Sequence, residues 1–402
     1  MTGSTAAPAG PRARLAAAAP ILVIGVFGIT LGISYPLLTL LLEQRGIPGG
    51  VIGANGAMTP LGMVLAAPAV PRLLRVTTAW AAMVAAAIGM TALLGLLTAV
   101  DNLAVWFVVR FAVGFCAVVM FVLSETWISE IASGPHRGKL LTAYTSVLAL
   151  GFSVGPAVMA ASGGNPTAPL AVAIASPALA VVPLWAVRGQ VPRMVSDGPV
   201  PVRRLLAALS VLLVPVLAVS VFDSVTLQFL PSYGLGEGLS QRVAALSLTV
   251  LLIGQVLFQY PLGWLADRLT TRRALIFSLS AGAVGAAALP AAVHQPWLFW
   301  PLIAVWGGLA FAGYPLVLAI VGEDLDGSSL LLGNTAFAVV WGLGGIIGPP
   351  YSGLAFEWFG PSGVPLSLAT LWALALAVLA NARLFSRHKK KDQHSTSRRS
   401  GS

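Results

Sequence analysis

LLTAYTSVLALGFSVGPAVMAA, residues 140–161, sets two glycines and a proline inside an apolar run. In a water-soluble helix each interior glycine costs about 1 kcal/mol and an interior proline about 3 kcal/mol, so their presence needs a reason. A second copy sharpens the point. GGIIGP at 344–349 follows GFSVGP at 151–156 at an offset of 193, and the same offset carries Glu130 to Glu323 and Tyr144 to Phe337. At an offset of 192, Leu61-Gly62 falls on Ile253-Gly254. The chain is a duplicated unit, and the glycine-proline pattern belongs to both copies.

Each copy is built of apolar helices. The 402 residues are 57% hydrophobic and 9% charged, with a mean hydropathy of +0.89, where a soluble domain is about 25% charged. Near-continuous apolar segments of about 18 residues or more recur along the chain, each long enough to cross a bilayer as a helix. The helical form satisfies their backbones in hydrocarbon. Breaking the runs at charges and at Gly/Pro clusters predicts twelve spans, at 15–42, 49–70, 77–99, 103–123, 139–162, 167–187, 205–230, 241–265, 274–292, 297–320, 330–353 and 364–384. The connector RGQVPRMVSDGPVPVRR, 188–204, divides them six and six. The expectation is an all-α integral membrane fold: an N-terminal segment 1–14, a six-helix bundle 15–187, a linker 188–204, a second six-helix bundle 205–384 and a disordered basic tail 385–402.

Charge placement supports this count. Of the 23 Lys and Arg residues, all but Arg45, Arg110 and Arg242 fall on the side shared by the two termini, as the positive-inside rule requires when both termini are cytoplasmic. The net charge of +10 is then a topology signal. The tail RHKKKDQHSTSRRSGS reads as an anchor toward anionic lipid and not as a nucleic-acid-binding arm. Arg12 and Arg14 precede an apolar run from Leu15 to Leu42 that is too long for a cleaved signal peptide. The single cysteine, Cys116, leaves no intrachain disulfide, and no Cys/His cluster suits a metal. No cofactor is expected. The spans carry no paired catalytic aspartates, Ser-His pair or His-Glu metal cluster, so an intramembrane enzyme is disfavoured. The expected partners are the bilayer, protons and a small molecule, bound by a monomer.

Between spans 8 and 9 stands GWLADRLTTRR, 263–273. It resembles the G-x-L-a-D-R-x-x-x-R-R signature of the major facilitator superfamily, whose loop latches the cytoplasmic helix ends. The matching place in the first half, PAVPRLLR at 68–75, keeps Arg72 and Arg75 without the aspartate. Arg110 and Gly114 resemble the family's fourth-helix R-x-x-x-G motif, associated with proton coupling, and GFSVGP resembles the fifth-helix G-x-x-x-G-P motif of its antiporter branch. The runs 124–144 and 313–349 are similar to a bacterial inner-membrane subgroup of drug/metabolite:proton antiporter-like proteins.

Arg110 lies ~12 Å below the outer end of its span. A bare guanidinium there costs on the order of 3 kcal/mol, so it should face a wet cavity or a partner. Asp223 in span 7 lies about 10 Å deep, at a similar level. The resemblance implies that helices 4 and 7 both border a central cavity, where the two charges meet or release each other and Asp223 gains or loses a proton accordingly. The competing readings are structural: an arginine bonded to carbonyls, and an aspartate solvated near the outer mouth.

Gly151 and Gly155 clear one helix face for a close neighbour, and Pro156 crowds the carbonyl of Phe152. With Gly344, Gly348 and Pro349 they are expected to form outer-gate joints, against the plainer reading of small-residue packing. On the cytoplasmic side Glu125 and Glu130 are expected to oppose Arg268, Arg272 and Arg273, and Glu323, Asp324 and Asp326 to oppose Arg72 and Arg75. Asp267 is expected to favour a helix N-terminus near Gly138–Leu141. Cavity helices 1, 4, 7 and 10 would offer Thr30, Ser34, Tyr35, Arg110, Met120, Asp223, Gln228, Trp306 and Tyr314, with Gln255 and Gln259 from span 8. That lining suits a moderately apolar organic molecule. It lacks the arginine cluster of a phosphate-ester site and has fewer amides and acids than a sugar site. The reading is a proton-coupled exporter working by alternating access. A proton symporter or uniporter importing a small metabolite, and a non-transporting sensor with a transporter fold, remain open.

Overall fold

The computed structural model describes residues 11–131, 137–190, 210–258, 261, 268, 270–324 and 328–399. These are organised as α1 (Pro11–Gln44), α2 (Gly49–Ala66), a short α3 (Val70–Leu73), α4 (Ala79–Ala99), α5 (Leu103–Ile131), α6 (Arg137–Ala161), α7 (Thr167–Leu179) and α8 (Val181–Ala186). After residue 209 follow α9 (Ser210–Gly236), α10 (Gln241–Leu257), α11 (Thr271–Ala292), α12 (Pro296–Phe311), α13 (Gly313–Asp324), α14 (Ser328–Phe359) and α15 (Gly363–Arg399). Among the described residues 10 segments are long and apolar enough to cross a membrane, and α10 is a shorter apolar helix. The longest such segment, Val339–Asn381, covers 43 residues and is cut at Gly360, where φ is +63°.

Proline explains two breaks inside expected spans. Pro183 crowds the carbonyl of Leu179, where α7 ends, and Pro315 crowds that of Phe311, where α12 ends. Two expected ends also move. Helix α5 runs on to Ile131, past the expected limit at 123, and α15 carries helix to Arg399, through residues expected to be disordered. The tail's Arg, Lys and Gln are good helix formers, and basic residues suit a helix C-terminus.

The duplication is visible in the helix ends. Thr78 caps α4 by accepting from Ala81 N at 3.2 Å, and Thr270, 192 positions later, caps α11 by accepting from Arg273 N at 3.4 Å. Ile47 N donates to Leu42 O at 3.2 Å around Gly46, and Leu239 N donates to Gly234 O at 2.9 Å around Gly238. Both glycines have positive φ, as a C-terminal helix stop of this kind demands. Helix pairs repeat as well: α1–α6 matches α9–α14, α2–α5 matches α10–α12, and α4–α7 matches α11–α15. Pairs α2–α14, α6–α10 and α1–α9 join the two copies.

Both copies of the glycine motif pack within their own half. A Cβ on Gly151 or Gly155 would strike the Gly25 or Gly32 carbonyl of α1. Gly344 and Gly348 of α14 lie on Ser220 and Ser224 of α9, whose hydroxyls donate to the carbonyls of Trp341 and Gly344. The loops holding Gly46, Asp101, Gly164, Gly238, His294 and Gly360 gather at one end, called here the Gly46 end, tied by Arg45 to Asp101 (3.1 Å) and Glu237 to His294 (3.5 Å). The opposite end carries Arg72. Leu65, Val108, Val182, Val284 and Leu374 stand exposed along the flanks, with Trp297, Trp358 and Phe359 at the Gly46 end and Trp185 beneath Arg188 at the other. An apolar flank with aromatic residues at both rims fits a bilayer.

Candidate functional site

Arg110 is 2% exposed, at the middle of the molecule on α5. Its placement follows from Gly114, one turn further on, where a Cβ would strike the Thr59 carbonyl of α2. That close approach brings Thr59 Oγ1 to the Arg110 carbonyl (3.3 Å) and lets Arg110 Nη1 donate to Asn55 Oδ1 (3.2 Å). Tyr35 of α1 holds its ring centre 5.9 Å from the guanidinium carbon. Asp223, half-buried on α9, and Arg110 both lie within electrostatic reach of Tyr35. No ion pair joins Arg110 to Asp223 among the described residues.

The surrounding amides are left short of partners. Gln255 of α10 lies beside Asp223, its Nε2 without a completed hydrogen bond. The Gln228 carboxamide lies on Gly56 of α2 with Oε1 unpaired, and Ser34 Oγ and Asn55 Nδ2 are buried and unpaired. Buried polar atoms are bonded in the great majority of cases. An open amide group beside the cation, another beside the carboxylate and a third against α2 can hold a polar solute from several helices at once.

Two expected cavity residues turn elsewhere. Thr30 donates to Val26 O or shares a hydrogen bond with Ser176 Oγ of α7, each at 2.8 Å, so it faces its own half. Trp306 donates from Nε1 to Gly282 O at 2.9 Å and sits 5.0 Å from the Phe222 ring, between α11 and α9. Membership of a cavity helix does not fix which face a residue occupies. Met120 is fully buried. Tyr314 stacks edge-on against Trp341 at 4.9 Å and lies within reach of Glu125.

At the Arg72 end, Arg72, Arg75, Glu125, Glu130, Arg268 and Arg272 are exposed. Arg72 Nη1 donates to Pro68 O at 3.3 Å, and Glu125 lies within reach of Tyr144 and Tyr314. Asp267, Gln259 and Asp326 lie outside the described residues, as do the side chains of Glu323 and Asp324.

Two features escaped the sequence reading. One is Asn55, an uncharged residue in a span of small side chains. The other is Glu357 at the end of α14, whose Oε2 accepts from Gly50 N at 3.1 Å, at the start of α2 in the other half. Carboxylates near helix N-termini carry a local signal only when they share the helix, and Glu357 is 307 residues away.

Known proteins align with this architecture. Residues 21–251 and 216–401 match the Major Facilitator Superfamily. The chain is similar to the uncharacterized MFS-type transporter YfkF of Bacillus subtilis (strain 168), 24% identical over 371 residues that cover 89% of this chain and 94% of that one. Its fold superposes on the nucleoside transporter NupG with a TM-score of 0.74 at 14% identity, covering 94% of this chain and 99% of NupG. A D-xylose-proton symporter gives a TM-score of 0.67 at 16% identity, with coverage of 91% and 96%. These two likenesses speak for the fold alone. The chain belongs to the Major Facilitator Superfamily, as a multi-pass membrane transporter and not an enzyme.

Proposed function

We propose that this transporter is a proton-coupled exporter of a small, moderately apolar organic molecule. The observation that carries the proposal is the pair Arg110 and Asp223, one charge from each half, gathered around Tyr35 yet not bound to each other. A carboxylate so placed can trade a proton for contact with the guanidinium as the halves move. The driving force is sufficient: a pH unit supplies about 1.4 kcal/mol per proton and a potential of 100 mV about 2.3 kcal/mol per charge.

The topology assigned to this cycle has twelve spans, obtained by dividing Val339–Asn381 at Gly360 and adding α10 to the 10 long apolar segments. They form bundles over 15–187 and 205–384, joined by the linker 188–204, in a monomer of a bacterial inner membrane. Both termini are cytoplasmic, so the Gly46 end faces outward. Outer closure draws on the Glu357 contact with α2 and on the joints at Gly151, Gly155, Pro156, Gly344, Gly348 and Pro349. Inner closure draws on Glu125 and Glu130 against Arg268 and Arg272, on Arg72 and Arg75 against Glu323 and Asp324, and on Asp267. Ser34, Tyr35, Gln228, Gln255, Gln259, Met120 and Tyr314 complete the cavity.

Purified protein in proteoliposomes decides the matter. Export predicts that protons move against the substrate and that Asp223→Asn stops this movement while substrate still binds. Protons moving with the substrate would make the protein a symporter, and transport without proton movement a uniporter.

A further inference from the structure

We infer that the central site takes a dipolar ligand, with an oxyanion end at Arg110 and an ammonium end toward Asp223, carried on an apolar body. The inference rests on the reading that this site binds the transported molecule, and it is independent of proton coupling and of direction.

The two charges stand apart, Arg110 buried and Asp223 half-buried. Arg110, 2% exposed, has a neutral amide oxygen at 3.2 Å and an aromatic ring at 5.9 Å as its partners. Asp223 has the Gln255 amide beside it and Tyr35 within electrostatic reach. In a low-dielectric interior a charge with only neutral partners is poorly compensated. A neutral ligand leaves both charges in that condition. A simple cation or anion corrects one, and its own charge is repelled by the other. A ligand carrying both signs corrects both and brings no net charge into the membrane interior.

The open hydrogen-bonding groups agree with this choice. Asn55 Nδ2, beside the Arg110 contact, is a buried donor without an acceptor, which suits a carboxylate oxygen. Gln228 Oε1 is a buried acceptor without a donor, and Ser34 Oγ can serve either way. The groups come from α1, α2, α5, α9 and α10, so a molecule reaching both charges touches both halves. Tyr35, standing within reach of both charges, offers its ring to the apolar body between the ligand's ends.

A matched series tests the idea: ω-aminohexanoate, hexanoate, hexylamine and hexanamide, with ω-aminobutyrate and ω-amino-octanoate to vary the charge separation. Thermal unfolding of the purified full-length protein is followed with each compound at one pH, with no gradient present. The expected result is stabilisation by an ω-amino acid at concentrations at least about tenfold below those needed of the acid, amine or amide of the same length. Arg110→Gln should abolish the advantage of the zwitterion over the amine, and Asp223→Asn its advantage over the acid. The wild-type ranking stands alone if either variant misfolds. Stabilisation by hexanamide equal to that by the best ω-amino acid overturns the inference, as does no response to any ω-amino acid up to about 10 mM. Binding of the zwitterion without proton movement in vesicles would leave the dipolar site standing and remove the proton coupling. Proton movement driven by a tighter neutral ligand would do the reverse.

Discussion

Asn55 controls what Arg110 can do. Its Oδ1 accepts from Nη1 at 3.2 Å, and the bond is charge-assisted on one side only, so it can hold the guanidinium and still release it. Asn55→Asp places a carboxylate at that distance and makes the bond stronger and ionic. The expected outcome is a higher melting temperature of the purified protein together with loss of transport, because Arg110 is held in one position. Asn55→Leu removes the bond and should lower stability by about 1.5–3 kcal/mol. An Asn55→Asp protein that transports normally would show that Arg110 has no need to leave its partner. Gly114 supports the same contact from the backbone side. Gly114→Ala drives a methyl into the Thr59 carbonyl and should lower stability by about 1–3 kcal/mol, whereas Gly189→Ala, with nothing within 4 Å, should leave the melting temperature unchanged. Arg110 and Gly114 were legible in the sequence because a charge and its small neighbour stand out in an apolar run. Asn55 was not, because an amide among glycines and alanines carries no comparable signal and its partner is 55 residues away.

Helix α2 is completed by the other half of the molecule. Its N-cap residue, Pro48, makes no side-chain cap, whereas Ser240, 192 positions later, caps α10 by accepting from Val243 N at 3.4 Å. Glu357 supplies the missing acceptor to Gly50 N at 3.1 Å, where the positive end of the helix dipole also favours a carboxylate. Parting of the halves at the Gly46 end therefore uncaps α2. Glu357→Ala removes about 1 kcal/mol from the closed side, or roughly a fivefold change in a two-state population. The measurement is labelling of a Ser34→Cys reporter, in a chain with Cys116→Ala, by an impermeant maleimide added outside. Labelling should speed up by about that factor, and an unchanged rate would deny Glu357 a part in closure. At this scale the sequence was informative about the helices themselves, since hydropathy sets their length and basic residues mark their ends. It was silent about their faces. Thr30 and Trp306 sit on expected cavity helices and point away from the centre, because one rotation about a helix axis, set by packing on α7 and α11, decides the matter.

The two halves agree where they pack and differ where they meet. Gly62 and Gly114 bring α2 against α5, and Gly254 and Gly307, offset by 192 and 193, bring α10 against α12. At the offset of 193 that relates α5 to α12, Arg110 corresponds to Ile303, and at the offset of 192 that relates α1 to α9, Asp223 corresponds to Leu31. Departures from the repeat therefore coincide with the central charges, a signal already present in the sequence once the offset is known. The cation belongs to one half and the anion to the other, so relative motion of the halves changes the distance between them and with it the field at the site. Alternating access requires that motion to break contacts at the Gly46 end. On that side of the molecule, about two helical turns in from the end, Thr249 Oγ1 of α10 donates to the Ser153 carbonyl of α6 at 3.4 Å, within the GFSVGP stretch itself. Ser153→Cys and Thr249→Cys, combined with Cys116→Ala, place two thiols on facing helices that a short bifunctional reagent can span. If the halves must part here, bridging should abolish transport, leave ligand binding from the Arg72 end intact, and be fully undone when the bridge is cleaved. Transport at the unbridged rate after complete bridging would mean that α6 and α10 stay together throughout the cycle, and opening would then have to be assigned to the α2–α14 seam alone.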